Sequence, residues 1–256
     1  MSEPINHSDA ALLMALQLGK IQAGFLGQTA HELRSPMSHI MSLQQLILTD
    51  LCEDPAEERE FIAQCYAASQ KFMQLLDLVV DVSKLDYGAT KPKSTPFDVM
   101  GMMAELESIW GVKAKNRNLN LQFPTVPENF ALAMVGDRQR IYQFFMTLIN
   151  TTINETPTGD IIFHYEQPEG DRLAFQLRCQ CDHNFWQDTR VKDLEIKAKP
   201  TLQELQAAAE AFEFSPALKW QLCTKLITTL GGQIKQDYSS EGVIQVTGWL
   251  PLENKK

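Results

Sequence analysis

The sequence has no excess of positive charge: 23 lysines and arginines stand against 32 aspartates and glutamates, a formal net charge of −9. Nonspecific binding to nucleic acid needs a basic surface, so that class of function is not expected. No run approaches the ~20 apolar residues of a membrane span. The N-terminus has no basic stretch leading into an apolar core, so no secretory signal is read. A cytoplasmic protein without membrane contact is the expectation. Cysteine is scarce and odd in number, with five residues at irregular spacings. Cys179 and Cys181 form a C-x-C pair that alternating strand geometry points to one face. With no second ligand pair nearby, they read as reduced, buried thiols, and no metal ligand is assigned. Internal repeats and low-complexity segments are also missing.

What is present suffices for real cores. Hydrophobic residues make up 44% of 256 positions, which fits one large domain or two small ones. From Ser8 to Asp50 an apolar series advances in steps of four and three: Leu12, Leu16, Gly19, Ala23, Leu26, Ala30, Leu33, Met37, Ile40, Gln44, Ile47. This is a heptad seam. A helix of ~40 residues is about 60 Å long, too long to be buried in one small globule. A partner helix follows. Asp54-Pro55-Ala56-Glu57 reads as an N-cap, a proline at the first helical position and a glutamate at the third. A second series then runs through Phe61, Cys65, Ala68, Phe72, Leu75, Val79 and Val82. Leu43, Leu46, Leu76 and Leu78 widen the apolar surface beyond what one hairpin covers, which a four-helix bundle from two chains would solve. The alternative is a hairpin packed on its own C-terminal domain.

Residues 1–88 are thus expected to be a helical hairpin, 89–96 a polar, proline-bearing linker, and 97–256 a second domain. In the last, helices are expected near Val99–Lys115, Asp137–Ile153 and Leu218–Leu230. Strands are expected near Leu119–Phe123, Ala131–Val135, Asp160–Tyr165, Leu173–Cys181, Gln233–Tyr238 and Val243–Leu250. Together they describe a two-layer α/β sandwich.

The informative segment for chemistry is Phe25-Leu26-Gly27-Gln28-Thr29-Ala30-His31-Glu32-Leu33-Arg34-Ser35-Pro36. Ala30 and Leu33 lie in the seam, so His31 falls on its exposed flank. Glu32 offers a carboxylate to take the imidazole proton as the other ring nitrogen attacks. Arg34 adds a fork of donors suited to phosphate. Pro36 removes one helical hydrogen bond and crowds the carbonyl of Glu32, so a bend is expected one turn past His31.

His31-Glu32-Leu33-Arg34-Ser35-Pro36 closely resembles the H-box of sensor histidine kinases. Asp81-Val82-Ser83-Lys84-Leu85-Asp86-Tyr87-Gly88, followed by Pro96-Phe97-Asp98-Val99, looks like the family's exit from the dimerisation helices into the catalytic domain. The resemblance implies that His31 accepts phosphate, that Glu32 is its acid/base partner, and that Ser35 stands where the family often orients a dephosphorylating water. It also implies the fold: an α hairpin dimerising into a four-helix bundle, then an α/β sandwich of the histidine-kinase ATPase (Bergerat) type.

The second domain resembles the family in its frame. Gly136–Gln143 and Thr156–Gly159 match the ends of the helix bearing the N-box, but the family's two magnesium- and nucleotide-holding asparagines fall on Thr147 and Thr151. A threonine hydroxyl cannot place an amide oxygen on the metal. Asn150 and Asn154 offer the same spacing some 60° around the helix. The first glycine box corresponds to Asp182-His183-Asn184-Phe185-Trp186, where Asp182 keeps the adenine-contacting position and both glycines are replaced. The second falls on Ala217-Leu218-Lys219-Trp220, with Lys219 left as a point charge for phosphate. Glycines serve in such loops because a Cβ blocks close approach of the backbone. The family's lid over ATP corresponds to Gln187–Phe214, where Leu202–Phe212 reads as a helix.

Three readings follow from this resemblance. One is a phosphorelay protein exchanging phosphate between His31 and a response-regulator receiver domain, its ATP site eroded. Another is an active histidine autokinase, the only case in which ATP with magnesium is a cofactor; otherwise none is assigned. The third is a non-enzymatic dimeric adaptor. The partners implied are a second copy, a receiver domain and an upstream kinase.

Overall fold

The computed structural model describes residues 7–86, 94–124, 132–165, 171–189 and 214–253. By internal contacts the chain divides into a helical unit, residues 1–84 with 189–218, and a second unit, residues 85–188 with 219–256.

The helical unit is built on α1 (His7–Leu48) and α2 (Pro55–Asp86). Leu51 N–H reaches the carbonyl of Leu46 at 3.0 Å, and Asp50 takes a left-handed conformation with φ of 53° to close α1. Asp54 then caps α2: its Oδ1 accepts from the backbone N–H of Ala56 at 2.7 Å and of Glu57 at 2.8 Å. Pro55 follows as the first helical residue, as the sequence predicts. The Cys65 thiol lies 3.8 Å from the carbonyl of Ile40, where the two helices face each other.

Within this unit α1 buries Phe25, Thr29, Glu32, Pro36 and Leu43. That stripe also advances in fours and threes, but it is shifted from the heptad seam. Several seam residues are instead exposed, Leu26 at 51% and Met37 at 39%, as are Ala23, Ala30 and Gln44. On α2, Ala67, Ala68 and Leu75 are buried, while Ile62, Met73 and Val80 are exposed.

The second unit opens with a ribbon of β1 (Thr95–Asp98) paired antiparallel with β3 (Ala133–Gly136). Thr95 and Pro96, the last residues of the expected linker, pair with Gly136 and Val135. Proline lacks an N–H, and an edge position in a two-stranded ribbon tolerates that loss. Residues 89–93 of the linker lie outside the described residues, as does the Leu202–Phe212 helix.

A five-stranded sheet follows in the order β2 (Leu119–Gln122), β4 (Gly159–Tyr165), β5 (Arg172–Gln180), β7 (Val243–Pro251), β6 (Gln233–Tyr238). Only β2 and β4 run parallel; the other pairs are antiparallel. In β4, Ile161, Phe163 and Tyr165 are buried while their neighbours are exposed, so one face of the sheet meets the core. Helices α3 (Val99–Asn116), α4 (Arg138–Glu155) and α5 (Pro216–Thr229) complete the described elements. Phe144 and Phe145 of α4 meet Phe163 and Phe175 of the sheet at centroid distances of 5.2–5.7 Å, in edge-on geometry. Asp98 caps α3 and Asp137 caps α4. At the end of α5, Gly231 takes φ of 81° and Gly232 N–H bonds the Ile227 carbonyl at 2.8 Å. A Cβ on Gly232 would fall 2.3 Å from the Trp249 carbonyl oxygen, so only glycine fits.

Candidate functional site

His31 sits mid-helix in α1 and is exposed, as are Arg34 and Ser35 on the same stretch. Glu32 is one residue on, about 100° around the helix, and only 1% exposed. Gln28 Nε2 donates to its Oε1 at 3.1 Å, and the backbone N–H of Ser215 donates to its Oε2 at 3.4 Å. The Ser215 hydroxyl donates to Oε1 as well. Burial pushes the Glu32 carboxyl above the usual range, against the hydrogen bonds from Ser215 and Gln28 and the nearby His31 charge. Thr29, also buried, turns its hydroxyl back to the Phe25 carbonyl at 2.7 Å. Pro36 is buried too, and α1 continues as helix through it.

Ser215 was not among the residues singled out from sequence. Its signal was local and legible: Ser215-Pro216 ahead of an apolar periodic run is a capping residue followed by proline at the first helical position. The Ser215 hydroxyl indeed accepts from Leu218 N–H at 3.1 Å. That the same hydroxyl also serves Glu32, 183 positions earlier, has no local signal.

In the second unit the residues expected at the nucleotide site make the following contacts. Thr147 and Thr151 bond back along α4, to the carbonyls of Gln143 at 2.8 Å and Thr147 at 2.7 Å. Asn150 Oδ1 accepts from Lys113 Nζ of α3 at 2.6 Å, and the Asn154 carbonyl accepts from Arg117 at 3.1 Å. The Asp182 side chain is 87% exposed, and its Oδ1 lies 2.6 Å from His183 Nδ1. The His183 ring holds its carboxyl below the usual range. Phe185 and Trp186, at the replaced glycine box, form a short 3-10 turn and are buried at 0% and 1% exposure. The Trp186 ring lies 5.3 Å from that of Trp220, at the second box. Lys219 is buried at 7% exposure. Two indole rings thus stand together, one from each of the segments that correspond to the glycine boxes. Cys179 and Cys181 are buried free thiols, as expected, and burial pushes the Cys179 thiol up to about 11.

Residues 21–88 match the His Kinase A (phospho-acceptor) domain. The chain is 25% identical over 236 residues to the autoinducer 2 sensor kinase/phosphatase LuxQ of Vibrio cholerae, covering 91% of this chain and 27% of that one. It is 23% identical over 232 residues to the sensor histidine kinase GacS of Pseudomonas protegens, covering 90% and 24%. The chain therefore spans about a quarter of the length of these relatives. Among solved structures it is similar to the Acinetobacter baumannii histidine kinase AdeS, with a TM-score of 0.54 at 15% identity over 87% of this chain and 98% of that one. It is also similar to the histidine kinase ThkA in complex with the response regulator protein TrrA, with a TM-score of 0.52 at 18% identity over 93% and 64%. At those identities the likeness is one of fold: a helical hairpin followed by a mixed-sheet domain of the histidine-kinase catalytic type. With residues 21–88 matching the phospho-acceptor domain and a second unit of like fold, the chain is similar to sensor histidine kinases over these parts.

Proposed function

We propose that this chain is a phosphorelay protein: His31 accepts a phosphoryl group and exchanges it with the aspartyl phosphate of a response-regulator receiver domain. An imidazole nitrogen attacks phosphorus, the bond to the aspartyl oxygen breaks, and the aspartate leaves as a carboxylate. We assign the imidazole proton to Glu32, one residue on, whose carboxylate must turn from its Gln28 and Ser215 partners to take it. Arg34 balances charge on the phosphoryl oxygens, and Ser35 lies within a turn of His31 on the same exposed stretch.

The observation that carries this reading is the pair of indoles, Trp186 and Trp220, packed at 5.3 Å within the segments that correspond to the two glycine boxes. It argues for a second unit that keeps the kinase fold without its phosphate cradle. The receiver partner is supported by the likeness to ThkA, whose structure is of its complex with a response regulator protein. A dimer of this chain is supported by the apolar positions left exposed along α1 and α2, Leu26, Met37, Ile62 and Met73 among them. Among the described residues no helix is long and apolar enough to cross a membrane; we place the protein in the cytoplasm, where receiver domains are found.

The test uses purified protein and two phosphate donors. With labelled ATP and magnesium alone, no label should appear. With receiver domains phosphorylated by acetyl phosphate, label should appear on the wild type and not on His31→Gln. Labelling by ATP alone would make the chain an autokinase. Labelling from neither donor, with a receiver domain still bound, would make it an adaptor.

A further inference from the structure

We propose that Cys181, Asp182 and His183 form a site for a zinc-class divalent metal at the carboxyl end of β5, a proposal that rests on the reading above in that no nucleotide then claims the Asp182 carboxylate. Three donors of different kinds converge there: a sulfur, a carboxylate oxygen and an imidazole nitrogen, all within 4.8 Å of one another. Cys181 Sγ lies 3.6 Å from Asp182 Oδ1 and 4.0 Å from His183 Nδ1. Ligands bound about 2.0–2.3 Å from one tetrahedral centre stand about 3.3–3.8 Å from each other. The two sulfur distances are already close to that range. The third pair, Asp182 Oδ1 and His183 Nδ1, is closer at 2.6 Å because the two now share a hydrogen bond. Both side chains are exposed, so opening that bond around a cation needs no repacking.

The donor set selects the class of ion. Magnesium and calcium take oxygen ligands, and a thiolate beside an imidazole disfavours them. Sulfur, nitrogen and one carboxylate suit zinc and its first-row neighbours. Three protein ligands leave a fourth position, to which the Glu155 carbonyl, 3.9 Å from the Cys181 sulfur, is a neighbour.

The backbone that carries the donors is fixed from several sides. Cys181 N–H donates to the Gly242 carbonyl at 2.8 Å. The Tyr238 hydroxyl donates to the Asp182 carbonyl at 2.7 Å. Phe185 and Trp186 anchor the chain in the core immediately after. Cys181 itself is buried at 3% exposure beneath two exposed partners, which gives a half-protected site with an open approach. The site uses Cys181 with the two residues that follow it and leaves Cys179 out.

Untagged, chelator-stripped protein titrated with Co²⁺ tests the site. The expected result is an intense thiolate-to-cobalt band in the near ultraviolet with the visible bands of a tetrahedral centre, both bleached by Zn²⁺. Cys181→Ser should abolish the thiolate band, His183→Ala should weaken zinc uptake by more than about tenfold, and Cys52→Ser should change neither. Because Cys181 is buried, the exposed His183→Ala variant carries the comparison if Cys181→Ser does not fold. No cobalt band in the wild type, a band that persists in folded Cys181→Ser, or unchanged zinc affinity in His183→Ala would each overturn the proposal.

Discussion

His31 and Glu32 are adjacent in sequence and live in opposite environments, one exposed to solvent and one 1% exposed. Helix geometry alone separates them, since consecutive side chains diverge by about 100°. For Glu32 the consequence is measurable as stability. Its folded pKa is raised by burial, so the folded state holds the proton more tightly than the unfolded chain does. The stabilisation is present below the ordinary glutamate range and is lost as pH rises through the folded pKa. Glu32→Gln, which mimics the protonated form and keeps an oxygen for Ser215, should therefore match the wild type in acid and be the more stable protein at mildly alkaline pH. Thermal unfolding of both at several pH values reads this directly, and an advantage that shrank with rising pH would contradict it.

Elements are set mainly by their ends. Asp54 holds two N–H groups of the first turn of α2 with one carboxylate oxygen, and it is exposed, so its loss opens no cavity. Asp54→Ala should cost about 1 kcal/mol, read as a lower urea midpoint with an unchanged slope. The caps of α2, α3 and α4 fall on Asp54, Asp98 and Asp137. The glycines after α5 end it by a left-handed turn and a close approach that a Cβ would block. What the caps do not fix is which face of a long helix finds cover. Along α1 the buried stripe through Phe25, Thr29, Glu32, Pro36 and Leu43 is offset from the heptad seam, and both stripes satisfy the same periodicity.

At the scale of the whole molecule, the exposed seam needs a partner, and the proposed partner is a second copy. Leu26 is 51% exposed and lies in that seam. Leu26→Glu should leave the single-chain fold intact, because half of the residue is already open to solvent, and shift the sedimenting species from dimer to monomer. A wild type that sediments as a monomer across the micromolar range would remove the dimer from the proposal. Most of the architecture at this scale was legible. The elements of the mixed sheet appear near their expected positions because alternating apolar strands and periodic helices are strong local signals. The ribbon strand β1 was missed because four residues with a proline carry no such pattern.

The sequence by itself determined the long amphipathic hairpin, its caps, the α/β alternation and the histidine-centred motif, because each is a local pattern that repeats at the period of its own backbone. Tertiary structure alone decided that Glu32 lies against Ser215, that Trp186 packs on Trp220, and that Asp182 turns outward beside Cys181 and His183. The first two join residues far apart in the chain. The third depends on Phe185 and Trp186 taking the core beneath the loop, which no local spacing encodes.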